Sequence, residues 1–469
     1  MFPFERSDGR FALATCDPGD AATLQAAEIV FGAAFEIFVA SFEDIATALG
    51  EKLDGVDVAV SSDREREGAG ESAEDLRDLA SGAPVVRAVN DLIEKAIELR
   101  ASDIHIEPFR DGLKVRMRVD GMLRAVATPN HVLPQALVSR IKILAGLNIA
   151  ERRLPQDGAA RLHVRADLDL RVATMPTQYG ESAVIRLLPH DRGVLEIAKL
   201  GLDANDEKKV LRLLELPHGM IAVTGPTGSG KTTTLATMLS TLNAPSRKIL
   251  TIEDPVEYEI SGISQSQVKP AIGLTFAAAM RAFVRQDPDV IMVGEVRDAE
   301  TASIAVQAAL TGHLVLTTLH TETSTAAIPR LVDLGVETFL LKSTLRAVVA
   351  QRLVRLLCDR CKTQKSLSRR DFDADPRLSA LGLKIGETVF NPKGCERCGG
   401  VGYRGRSGVF EVLEVTGEIR DLIGAKADFG ALDAAAIKAG MTTMIEDAVG
   451  KCRTGATSVA EALRVTTIR

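Results

Sequence analysis

The sequence predicts an α/β protein whose largest domain is a mostly parallel sheet, with a smaller α+β domain ahead of it. Three observations carry that prediction. From about Leu195, the apolar runs MIAVTG, KILTIED, DVIMVGE and HLVLTTLH alternate with helical patterns, as in a parallel sheet with helical crossovers. Each run is continuously apolar, which suits strands buried on both faces. Between Ala83 and Pro189, an amphipathic stretch leads into strands in which polar and apolar residues take turns. Residues 225–232 read GPTGSGKT at a strand-to-helix junction, a setting that α/β chains supply.

From the N-terminus, residues 1–60 read as a small helical unit. Within them AAEIVFGAAFEIFVA, interrupted by Glu28 and Glu36, has an amphipathic helical pattern. Residues 61–82 are polar, with no apolar periodicity before their last turn, and read as a linker. Residues 83–190 form the α+β domain. It has a helix over Val85–Leu99, strands in SDIHIEP, LKVRMRVDG, RLHVRADLDLRVATMP and SAVIRLLP, and a helical pattern over Pro134–Ala150. Residues 195–355 form the parallel core, 356–412 a cysteine-rich module and 413–469 a helical tail.

A chain of 469 residues has room for two or three domains with separate cores, and 46% apolar residues mark it as globular. Lys and Arg number 57 against 63 Asp and Glu, a formal charge of −6, and there is no Trp among 4% aromatics. An acidic chain without aromatic platforms argues against nucleic acid as a partner. No run approaches the roughly 18 apolar residues that a membrane span needs. The N-terminus lacks the basic-then-apolar layout of a signal peptide. The expected location is the cytoplasm, with membrane contact only through a partner.

The chemistry concentrates around GPTGSGKT. Gly225, Gly228 and Gly230 let the backbone N–H groups of this loop, which also carries Pro226, Thr227 and Ser229, close around phosphate oxygens at a helix N-terminus. Lys231 is suited to the β- and γ-phosphates, and the Thr232 hydroxyl to a Mg²⁺ shell, with Thr233 beside it. In a parallel sheet the ligand lies outside the C-terminal strand edge. Three strands end there in reactive groups: Glu253-Asp254, Gly294-Glu295 and Leu319-His320. Glu295 suits a carboxylate that orients the attacking water. Glu253 or Asp254 suits the metal's water shell or a share in the base role, and His320 a γ-phosphate contact.

Cys358, Cys361, Cys395 and Cys398 form two CxxC pairs. Four thiolates close a tetrahedral Zn²⁺ shell, and the two pairs together favour zinc over a redox CxxC or unligated thiols. Gly394, Gly399 and Gly400 fit the tight turns of such knuckles. Cys16 and Cys452 read as small apolar residues.

GPTGSGKTTTL, TIEDPVEY, RQDPDVIMVGEVRD and TGHLVLTTLHT resemble the Walker A, Asp, Walker B and His boxes of the type II/type IV secretion ATPases. SDIHIEPF, VRMRVDG, LPQDG, RVATMPTQYGE and GCERCGGVGYRGRSGVFEV extend the resemblance over roughly residues 84–415. It implies a RecA-like ATPase core behind a PAS-like middle domain, with ATP, Mg²⁺ and Zn²⁺ as cofactors. It also implies a homo-hexamer on the cytoplasmic face of the inner membrane that powers a type II secretion system; residues 1–60, set apart by the linker, are the expected docking surface for a secretion platform protein. A type IV pilus assembly ATPase is the alternative.

By the same resemblance, Arg171 and Arg186 turn toward nucleotide, and Arg281, Arg285 and Arg297 supply further positive charge. Arg116 and Arg118 are weaker candidates on strands. Three positions depart from the family pattern: Ala236 where an aromatic residue is common, Glu322 for Asn, and Ala159 for Arg. A nucleic-acid translocase on the same core, and a scaffold that binds ATP without turnover, are the rival readings.

Overall fold

The computed structural model describes residues 2–5, 11–15, 36–40, 45, 77, 79–129, 132–164, 166–189, 193–425 and 427–466. They fall into two compact units, Met1–Glu71 and Ser72–Arg469.

The first unit corrects the helical expectation for residues 1–60. Among its described residues, strands β1 (Phe2–Glu5), β2 (Phe11–Thr15) and β3 (Glu36–Val39) form a sheet, β1 antiparallel and β3 parallel to β2. The end of the supposed amphipathic helix, EIFV, is β3. A short apolar run fits either period, and here a pairing partner in FALAT decides it. Residues 25–35, Cys16 and most of the 61–82 stretch lie outside the described residues. Arg77 and residues 79–81 of that stretch are helical.

The second unit opens with a helix over Ala83–Leu99. Pro84 stands in its first turn, Arg100 closes it in the left-handed region, and Val85, Ala88, Val89, Leu92, Ile93 and Ala96 line one buried face. That face covers an all-antiparallel sheet of six strands. These are β4 (Ala101–Phe109), β5 (Gly112–Val119), β6 (Met122–Val126), β7 (Gln156–Val164), β8 (Ala166–Thr177) and β9 (Gly180–Pro189), in the order β6-β5-β4-β9-β8-β7. The helix Pro134–Leu144 completes the layer.

Ile104, Ile106, Val115, Met117, Leu170, Val172, Ile185 and Leu187 point into this core, each 2% exposed or less. Each contributes roughly 1.5–3 kcal/mol relative to exposure. Strand alternation then sends Asp103, His105, Arg118 and Arg186 to the opposite face. RLHVRADLDLRVATMP, read as one strand, is two: β7 and β8 pair as a hairpin from Val164↔Ala166 to Gln156↔Thr174.

The large sheet has seven strands. They are β10 (Gly219–Thr224), β11 (Ile249–Glu253), β12 (Ser264–Gln267), β13 (Val290–Val293), β14 (Leu314–Leu319), β15 (Leu345–Leu357) and β18 (Tyr403–Glu414). The order is β12-β11-β13-β14-β10-β15-β18. All neighbours are parallel except β15 and β18, an antiparallel pair from Ala347↔Glu414 to Leu357↔Tyr403. β10, β11, β13 and β14 are buried throughout, as continuous apolar strands require.

The cysteine-rich segment lies between β15 and β18 and carries its own two-stranded sheet, β16 (Thr363–Ser366) with β17 (Thr388–Asn391). Helices Gly417–Gly424, Phe429–Lys438, Met444–Arg453 and Val459–Val465 follow. The last two bury Ala448, Cys452 and Ala462 against Ala350, Val354 and Val409. No described helix is long and apolar enough to cross a membrane.

Candidate nucleotide cleft and four-cysteine centre

The loop after β10 turns on glycines. Gly225, Gly228 and Gly230 have φ of +146, +77 and +92°, where a side chain is strained. A Cβ on Gly225 would stand 2.4 Å from the Gln351 carbonyl, and one on Gly230 2.9 Å from the Gln351 amide nitrogen. Gln351, on β15 and 1% exposed, grips the loop from below. Its amide nitrogen donates to the Ser229 carbonyl at 2.7 Å, and its amide oxygen accepts from Thr234 Oγ1 at 2.6 Å. No sequence motif singled it out, because the contact joins positions far apart in the chain.

Helix Lys231–Leu242 begins at Gly230 with no side-chain cap, so its first N–H groups remain available to an anion. The Lys231 ammonium donates to the carbonyls of Gly225 at 2.7 Å and Pro226 at 3.1 Å. Burial lowers its pKa against the opposing pull of Glu295. The hydroxyls of Thr233 and Tyr258 share a hydrogen bond of 2.9 Å.

The parallel register brings the predicted acids and imidazole to this same edge. Val293 is opposite Thr317 and Thr224 opposite Leu319, so Glu295 and His320 emerge beside the loop. Glu295 forms an ion pair with Arg297 at 2.6 Å and lies 3.6 Å from His320 Nε2. Burial and the nearby Lys231 lower the His320 pKa, opposed by Glu295, which favours a neutral ring. Glu253 is buried and accepts from Thr251 Oγ1 at 2.7 Å and Gln265 Nε2 at 2.9 Å, and burial pushes its pKa up in spite of those bonds. Asp254 is exposed. A hydroxyl, a lysine, two adjacent acids and a Glu–His pair can together hold Mg²⁺-bound phosphates and orient a water.

All these groups line one cleft of about 860 Å³ with residues of the six-stranded sheet: Asp103, His105, Arg118 and Arg186. Arg186 Nε donates to Asp103 Oδ1 at 3.0 Å. Arg352, Arg406 and Arg464 also line the cleft, and none of them was a candidate. Their signal was absent because β15, β18 and the last helix meet there only through the antiparallel closure of the sheet.

Some expected arginines are not gathered into this chain's cleft. Arg171 is exposed on β8 beside Arg186, one strand from the lining residues. Arg281 is paired with Glu300 on the neighbouring helix, and Arg285 is exposed nearby. Helix Phe276–Phe283 leaves Arg281 on its exposed side, because its buried side is Ala277, Ala279, Met280 and Phe283, and Arg285 follows the helix. Arg116 pairs with Glu107 through two bonds of 2.7 and 2.8 Å. Of the departures, Ala236 is buried and lines the cleft, Glu322 is exposed, and Ala159 is opposite Arg171 at the end of its row.

The four cysteine sulfurs lie within 4.8 Å of one another. Three of the separations are 3.8, 3.9 and 3.7 Å. Zn–S bonds of about 2.3 Å at tetrahedral angles put sulfurs roughly 3.8 Å apart, so the set fits zinc. The N–H groups of Cys395 and Gly402 donate to Cys398 Sγ at 3.1 and 3.2 Å, an arrangement that favours a thiolate there. Cys452, 1% exposed in an apolar cluster, stands apart from them.

The family described as Type II/IV secretion system protein matches residues 78–464. The type II secretion system protein E of Xanthomonas campestris pv. campestris is 46% identical over 480 residues, covering 99% of this chain and 83% of that one. The type II secretion system ATPase E of Vibrio cholerae is 46% identical over 398 residues, 84% of this chain and 77% of that one. Among solved structures, the Legionella pneumophila ATPase DotB has a TM-score of 0.60 at 25% identity, covering 82% of this chain and 96% of that one. The pilus retraction motor PilT with bound ADP has 0.55 at 29%, covering 80% and 96%. With a phosphate loop, strand-end acids and a four-cysteine module in place, the chain belongs to the type II/IV secretion system protein family, as an ATPase of type II secretion.

Proposed function

We propose that this chain works as a homo-hexameric motor whose MgATP sits in the cleft between the six-stranded and seven-stranded sheets. The observation that carries the proposal is that one cleft takes its phosphate loop from one sheet and Arg118 and Arg186 from the other. Closing that cleft on ATP and opening it after hydrolysis moves one domain against the other. That motion would drive pseudopilus extension and the export of folded proteins.

In this reading Lys231 and the loop N–H groups bind the β- and γ-phosphates. Thr232, with Glu253 or Asp254, would hold Mg²⁺, which would supply charge that screens the phosphates. Glu295 orients the attacking water, and neutral His320, beside Glu295, contacts the γ-phosphate. Arg186 and Arg297 stabilise the charge that develops there. Arg171, Arg281 and Arg285 do not line their own cleft, and in this reading they serve a neighbouring subunit's nucleotide. Zn²⁺ on Cys358, Cys361, Cys395 and Cys398 is structural, since four protein ligands leave no open position. Residues 1–60 dock the cytoplasmic part of a membrane partner, which holds the motor at the inner face of the membrane. Against the pilus-assembly alternative, the relatives named above are type II secretion proteins, and the pilus motor of similar fold is a retraction motor.

The test is Glu295→Gln. ATP turnover should fall at least about a hundredfold, in the range expected for loss of a group that activates the nucleophile, while a fluorescent ATP analogue still binds. Equal turnover in variant and wild type would remove Glu295 from the mechanism.

A further inference from the structure

The register of the six-stranded sheet sets four charged residues in one row. Arg118 on β5 is opposite Asp103 on β4, Asp103 is opposite Arg186 on β9, and Arg186 is opposite Arg171 on β8. Residues directly opposite one another on neighbouring strands stand about 4.5–5.5 Å apart on the same face, and like charges there repel. The row holds three guanidinium groups against one carboxylate. Such a row is costly to build, and an anion arriving from outside relieves it.

The single carboxylate is placed in the middle. Asp103 is buried, while the side chains of Arg186 and Arg118 are 61% and 37% exposed. Its Oδ1 takes Arg186 by Nε alone, at 3.0 Å. That bond to Asp103 does not use the two terminal nitrogens of Arg186, whose residue lines the cleft. Its Oδ2 accepts from Ser102 Oγ at 2.7 Å and lies 3.8 Å from Arg118 Nε. Arg118 is steadied in turn by an Nη1 hydrogen bond of 3.1 Å to the Gly121 carbonyl. Ser102 occupies an irregularity in the β4–β5 pairing between Ala101 and Asp103, a bulge of the kind that re-aims side chains beside a site.

We propose that Asp103 is a positioning residue for ATP hydrolysis. It holds the Arg186 guanidinium by Nε so that the terminal nitrogens meet the γ-phosphate, and it offsets enough charge for the arginines to stand side by side before nucleotide arrives. Asp103 touches no nucleotide itself. The inference rests on the reading of Arg186 as a phosphate-facing residue.

The experiment measures steady-state ATP turnover and ATP-analogue affinity for the full chain and for Asp103→Ala, Asp103→Asn, Arg186→Ala and Asp103→Ala/Arg186→Ala. Asp103→Ala should lower kcat about tenfold to a hundredfold, the scale of a misplaced catalytic group, with analogue affinity within about threefold. Asp103→Asn keeps an acceptor for Nε and should fall between it and wild type. The double variant should be no slower than Arg186→Ala, because Asp103 acts through that arginine. Losses that multiply in the double variant, or a wild-type kcat in Asp103→Ala beside a slow Arg186→Ala, overturn the inference and leave the role of Arg186 standing. A wild-type kcat in Arg186→Ala overturns both. If Asp103→Ala does not fold, the same cycle run with Asp103→Asn decides, with non-additivity again the supporting result.

Discussion

Replacing Gln351 with alanine tests whether the phosphate loop is held in shape from beneath. The substitution strands two groups: the Ser229 carbonyl, bonded at 2.7 Å, and the Thr234 hydroxyl, bonded at 2.6 Å. Thr234 and Gln351 are each 1% exposed, so solvent does not reach the pair in the intact protein. A buried polar group left without a partner costs about 1–3 kcal/mol, which puts the total at roughly 2–6 kcal/mol. The loop can escape part of that cost by moving its carbonyl toward water, and a nucleotide must then repay it on binding. Each 1.4 kcal/mol is tenfold, so even the lower end, about 2 kcal/mol, weakens ATP binding roughly thirtyfold.

Titration of a fluorescent ATP analogue measures the change. Gln351→Glu is the informative companion. It keeps an acceptor for Thr234 but sets a carboxylate against the Ser229 carbonyl, so it should bind as poorly as the alanine variant. An alanine variant that binds within about twofold of wild type, or a glutamate variant with wild-type affinity, refutes the reasoning.

Glu253 and the cysteines support two further predictions. Burial raises the Glu253 carboxyl above 4.5, its hydrogen bonds from Gln265 and Thr251 opposing the shift. The folded protein therefore binds this proton more tightly than the unfolded chain does. The cost of the ionised group is present at neutral pH and is relieved as the pH falls through the raised folded pKa toward 4.5. Glu253→Gln keeps an oxygen for both donors, so it should melt at or above the wild-type temperature while turnover drops at least about tenfold. A lower melting temperature or an undiminished rate would contradict this. Metal analysis of freshly purified protein should find close to one zinc per chain. Cys398→Ser should lose most of it and make the segment between β15 and β18 sensitive to protease, because a structural zinc contributes folding energy directly. A zinc-free wild type, or a protease-resistant Cys398→Ser, counts against the assignment.

The phosphate loop, the strand-end acids and the paired cysteines were legible in the sequence because each is a local pattern. A glycine-rich turn between a strand and a helix shapes itself, and parallel strands bring their C-terminal residues to one edge whatever their order. The apolar runs, buried on both faces, determined the parallel sheet for the same reason. The N-terminal segment failed where a short stretch had to choose between two periods, and only its pairing with β2 made EIFV a strand.

Other features depended wholly on tertiary structure. Gln351 reaches Ser229 and Thr234 across 122 and 117 positions of chain. The closure of β15 against β18 carries Arg352 and Arg406 to the cleft, and it places the cysteine module between two adjacent strands. The row Arg118–Asp103–Arg186–Arg171 exists only through the register of four strands, and a one-residue slip would send each side chain to the other face. Sequence order says which residues a strand carries. Only the packed sheet says which of them face each other, and here that decides which arginines reach the nucleotide cleft.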